Sequence, residues 1–137
     1  MGSLRREKNI GALVKVTVHS YIGSVIIFSM KVILFIVPVL LLAAGLLCRF
    51  KPAKDINSTF GYRTAKSKSS QENWDKAQQL MSKNLMIIGA AELVITIIAM
   101  AFTNGLNEQQ YLIFMLIMVL VQALGAVLMI PMVESKL

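Results

Sequence analysis

Residues 111–132 read YLIFMLIMVLVQALGAVLMIPM, a stretch without a single charge. A helix rises about 1.5 Å per residue and a bilayer's hydrocarbon core is about 30 Å thick, so this run is long enough to cross a membrane. Two further apolar runs lie upstream. One is dense from Val32 to Leu47 and extends weakly back to Ile22; the other runs from Leu85 to Phe102. Backbone groups in lipid have no water to bond, so each run is expected to be a helix. Pro38 is expected to kink the first, and Pro131 to close the third. Thr103-Asn104-Gly105-Leu106-Asn107 is rich in turn formers, which predicts an antiparallel hairpin of the second and third helices.

Composition agrees. The chain has 137 residues, of which 56% are apolar and 15% charged, with mean hydropathy +0.68. A chain this small cannot hide that much apolar surface from water, and disorder needs the opposite composition. The expected fold class is therefore an all-α integral membrane protein. It has three transmembrane helices, at about 30–48, 84–102 and 111–130, with a basic loop, 49–83, between the first two. A tail, 133–137, follows.

Fourteen Lys and Arg stand against seven Asp and Glu, a formal charge of +7. In a membrane protein this excess serves orientation and anionic headgroups, so no direct nucleic-acid binding is expected. The loop holds Arg49, Lys51, Lys54, Arg63, Lys66, Lys68, Lys76 and Lys83 against Asp55, Glu72 and Asp75, whereas the other link carries only Glu108. The positive-inside rule places the loop and the C-terminus in the cytoplasm of a multi-pass plasma-membrane protein. Residues 1–29, with Arg5, Arg6, Lys8 and Lys15, fit this poorly. Three readings stay open for them: an amphipathic helix on the membrane surface that continues into the first span, a leader foreign to the natural chain, or a fourth span over Gly11–Ser29.

The loop carries the informative motif. Gly61 allows a tight turn or a positive φ, Tyr62 follows as an amphipathic anchor, and Arg63 adds a five-donor fork. Ser69 and Glu72 have capping-box spacing, so a short interfacial helix is expected from Ser70, with Trp74, Ala77 and Met81 on one stripe and a bend near Asn84. Asn57, Gly61 and Thr64 could equally shape a loop and nothing more. Arg63 could pair with Asp55 or a lipid phosphate, and Tyr62 and Trp74 could be bilayer-surface residues.

The string Ile56-Asn57, Phe60-Gly61-Tyr62-Arg63-Thr64, then Ser67, then Glu72-Asn73-Trp74 and Ala77, entered by Lys51-Pro52, resembles the SdpI family of bacterial membrane proteins. The likeness covers roughly Met30 to Ile130. It implies a toxin-immunity or membrane-signalling role, with a peptide toxin or a cytoplasmic regulator as partner. Asn57, Gly61, Tyr62, Arg63, Thr64 and Trp74 would then form the working surface.

Glu92 is the second candidate. An ionisable group within a span costs about 2.5–3.5 kcal/mol or more, so it should face protein or water, or be protonated. It reads either as a proton or cation site, as in a small proton-coupled exporter, or as a neutral acid hydrogen-bonded to Gln122 at similar depth. An accessory subunit of a larger complex, or a homo-oligomer, is the plainer alternative. Cys48 and His19 are single, so neither a disulfide nor a metal pair is expected. With no nucleophile–base pair and no phosphate loop, we expect neither an enzyme nor a cofactor.

Overall fold

The fold was analysed in a computed structural model that describes residues 2–56 and 59–137, with side chains from Arg5 onward. The described residues form three helices: α1 (Gly2–Phe50), α2 (Gln71–Ala101) and α3 (Glu108–Glu134). All three are long and apolar enough to cross a membrane. Their outward faces are apolar and exposed, for example Ile97, Ile98, Leu116 and Leu120. In a protein made for lipid, that is the surface expected to meet acyl chains.

Small residues set the packing. A Cβ on Gly89 would lie 2.8 Å from the Leu42 backbone, and one on Gly45 2.9 Å from that of Met86, so α1 and α2 cross with backbones in near contact. Gly125 of α3 likewise lies against the side chain of Glu92. Close approach through small residues is the usual way helices pack where no water drives them together. The pairs 45 with 86 and 42 with 89 run antiparallel, and α3 returns alongside α1.

Local signals define the ends. Ser70 caps α2 by accepting the Asn73 N–H at 3.1 Å. The helix thus starts one residue later than the Ser69–Glu72 spacing predicts, and Ser69 instead accepts from the Asn73 side chain at 2.8 Å. Asn107 and Gln110 form a reciprocal capping box at the start of α3, after the turn in which Gly105 has φ +87°.

Two expectations about helix boundaries are revised. The short interfacial helix and the second span are one helix, continuous through Asn84. Pro131 lies inside α3, which runs on to Glu134. Residues 2–29 are helical and run on into the first span, with α1 crossing Met30 without a break. At 49 residues, α1 is about 73 Å long, more than twice what a crossing needs. Residues 5–22 are exposed throughout, and α1 first meets α3 at Gly23, beside Glu108. The loop and the C-terminus share the other end of the bundle.

Candidate functional site

The loop at that end is a cap held by α2 and α3. Gly61 has φ +119°, and a Cβ there would meet Gln78 Oε1 at 2.6 Å, so only glycine fits the turn. The turn delivers Tyr62 to Gln78, whose amide bonds both backbone groups of that residue. Tyr62 N–H donates to Gln78 Oε1 at 2.8 Å, and Gln78 Nε2 donates to Tyr62 O at 3.1 Å. The side chain thereby imitates a strand partner for an otherwise irregular segment. Ser67 adds a second donor to Tyr62 O at 2.9 Å, and its own N–H donates to Thr64 Oγ1 at 3.2 Å.

Two aromatics close the cap. Trp74 is fully buried, and its indole N–H donates to Ala53 O at 2.7 Å. Tyr62 is buried with Cys48, Ala77, Met81 and Val133, and its hydroxyl donates to Glu134 Oε1 at 3.0 Å. Burial, then the hydrogen bond to Glu134 and its negative charge, push the Tyr62 phenol up to about 12, so it stays a donor at neutral pH. Lys66 Nζ reaches Glu134 O at 2.7 Å, tying the cap to the end of α3. Both aromatics were expected at the bilayer surface. Each lies inside the protein instead, because each has a polar end with a specific protein partner.

Arg63 differs from its neighbours. It is exposed and, among the described residues, makes no hydrogen bond or ion pair; the expected pairing with Asp55 is not formed. All eight basic residues of the loop are exposed. Asn57 lies outside the described residues. The structure thus brings Gly61, Tyr62, Thr64 and Trp74 together as scaffold and leaves Arg63 facing outward.

Within the spans, Gln122 does not pair with Glu92. Its Nε2 donates to Leu34 O at 2.9 Å and to Thr96 Oγ1 at 3.1 Å, joining all three helices. The cause is Pro38. A proline has no N–H, so the carbonyl four residues earlier loses its helical donor; that carbonyl belongs to Leu34. Gln122 supplies the missing donor from α3. Glu92 sits one turn along, against Gly125, and is only 5% exposed. Neither of its carboxylate oxygens has a hydrogen-bond partner among the described residues. Glu92 and Gln122 lie within a turn of each other, but the carbonyl freed by proline takes the Gln122 amide.

A family model described as the SdpI/YfhL protein family matches residues 54–133, which take in most of the cap, all of α2 and nearly all of α3. The chain belongs to the SdpI/YfhL family. A relative from Bacillus subtilis (strain 168), described as "Uncharacterized protein YfhL", is 45% identical over 49 residues. That match spans 36% of this chain and 44% of the relative, so it covers less than half of that protein's length. No solved structure matches.

The SdpI/YfhL match begins beyond α1. Yet α1 supplies Leu34 O to Gln122 and Leu42 to Gly89, so the matched region is completed by a helix outside it. Family membership and three apolar helices make this a small membrane protein. Two structural residues escaped the sequence reading. Gln78 lies one turn beyond Trp74 on the same helix face, a polar residue in a buried stripe. Glu134 follows Pro131 and carried no signal.

Proposed function

We propose that this chain is a membrane immunity or signalling protein of the SdpI type, working through Arg63 on the cap. The observation that carries the reading is the contrast within one turn: Gly61, Tyr62 and Thr64 are bound into the scaffold while the adjacent guanidinium is exposed and unpaired. A rigidly mounted fork suits a carboxylate or phosphate on an acidic partner. The excess of exposed bases supports a cytoplasmic cap, with the α2–α3 link outside. The partner would be a cytoplasmic regulator, or the protected function would be resistance to a peptide toxin.

The test is affinity purification in mild detergent from native cells, comparing wild type with Arg63→Ala. A soluble regulator or peptide lost only in Arg63→Ala is the expected result. A membrane partner retained in stoichiometric amount by both would replace the reading with an accessory subunit. A second reading, a proton-coupled exporter, is favoured by the unpartnered oxygens of Glu92. It expects drug resistance that Glu92→Gln abolishes; resistance unchanged by that substitution rejects it.

A further inference from the structure

At the end of the bundle opposite the cap, α1 and the start of α3 enclose a cleft of about 280 Å³. Its walls are apolar: Ile26, Ile27, Met30 and Leu112. Two polar groups interrupt them. The carboxylate of Glu108 lies against Gly23, close enough that a Cβ there would approach its Oε1 to 2.5 Å. Tyr111 also lines the cleft, and its buried hydroxyl has no hydrogen-bond partner among the described residues. A third group stands nearby: Lys31 follows Met30 in the chain and holds its ammonium 6.0 Å from the centre of the Tyr111 ring.

The third span begins near Tyr111, so the cleft opens where headgroups give way to acyl chains. Glu108 sits against Gly23, Tyr111 lies three residues further along α3, and Lys31 lies eight residues beyond Gly23 on α1, all beside apolar walls. A lipid whose outermost group is a primary ammonium, with a phosphate beneath it and chains below that, presents the complementary groups.

We propose that this cleft binds one phosphatidylethanolamine from the leaflet opposite the cap, its ammonium on Glu108 and its phosphate near Tyr111 and Lys31. The ammonium has three N–H donors for the carboxylate, and the trimethylated headgroup of phosphatidylcholine has none, which is the source of selectivity. Gly23 leaves room for the carboxylate at the rim. The site lies at the far end from Arg63 and does not depend on how the cap is used.

The test is native mass spectrometry of the full chain in mild detergent. It is titrated with phosphatidylethanolamine, with phosphatidylcholine of identical chains, and with dodecylamine. Wild type is expected to prefer the ethanolamine lipid by about tenfold, the scale of one charge-assisted hydrogen bond. Glu108→Gln should lose the preference, and Gly23→Leu, which fills the cleft, should lose bound lipid altogether. Glu7→Gln removes an acid from the same half of the molecule and should change neither. Equal affinity for the two lipids in wild type overturns the proposal, as does a preference that survives Glu108→Gln. Binding of dodecylamine without the lipid preference overturns the assignment of the occupant. Helical circular dichroism of each variant separates loss of the site from loss of the fold.

Discussion

Polar side chains are buried at two levels of this bundle, and the two levels treat them differently. At the cap, Tyr62, Ser67, Trp74, Gln78 and Ser82 are buried and each has a hydrogen-bond partner. Within the spans, Gln122 and Thr96 satisfy each other and the Leu34 carbonyl, but Glu92 and the amide nitrogen of Asn84 are left unpartnered among the described residues. A satisfied buried polar group holds a fold, whereas an unsatisfied one is paid for elsewhere. The difference teaches that most of the conspicuous loop motif is scaffold, and that Glu92 does not hold the helices together through hydrogen bonds.

Substitutions can break or sharpen that contrast. The largest effect is expected from Trp74→Ala, a loss of about 3–5 kcal/mol for emptying a fully buried aromatic site. Denaturant unfolding in mild detergent, followed by circular dichroism, measures it; a loss below about 1 kcal/mol would mean the cap is not scaffold. Gly61→Ala comes next, at about 2–3 kcal/mol, since it forces a positive φ on a side chain and drives Gln78 off the Tyr62 backbone. Increased proteolysis of the loop should accompany it.

Gln122→Leu should cost about 1–3 kcal/mol by stranding the Leu34 carbonyl. Restoring the missing N–H with Pro38→Ala should shrink that penalty by about 1 kcal/mol, a coupling that a double-mutant cycle reads directly. Penalties that simply add would reject the link between the two positions. Glu92→Leu should have the opposite sign and raise stability by about 1 kcal/mol, because an apolar side chain there strands nothing. A clear destabilisation would show that Glu92 is structural after all. The smallest effect belongs to Arg63→Ala, within about 0.5 kcal/mol of wild type, as for an exposed residue without partners.

The three helices were legible because charge-free runs of sufficient length admit few alternatives in lipid. Turn chemistry at Thr103–Asn107 and the glycine at 61 were legible for the same local reason. What the sequence did not disclose was pairing. Whether Tyr62 and Trp74 face lipid or protein depends on Glu134 and Ala53, which lie 72 and 21 residues away. An aromatic near a membrane boundary has the same pattern in either case. Glu92 and Gln122 were matched by depth, which both obey, but the choice of partner was made by a proline on a third helix.

That arrangement also constrains which substitutions the chain can accept. A proline at position 38 strands a carbonyl in hydrocarbon unless an amide already reaches it from position 122. The glutamine, by contrast, can satisfy itself on Thr96 without any proline. The glutamine is therefore tolerated without the proline, whereas the proline is costly without the glutamine. Once both are present, losing the glutamine alone is penalised in a way it was not before, so the pair acts as a ratchet on which substitutions the third helix can later accept.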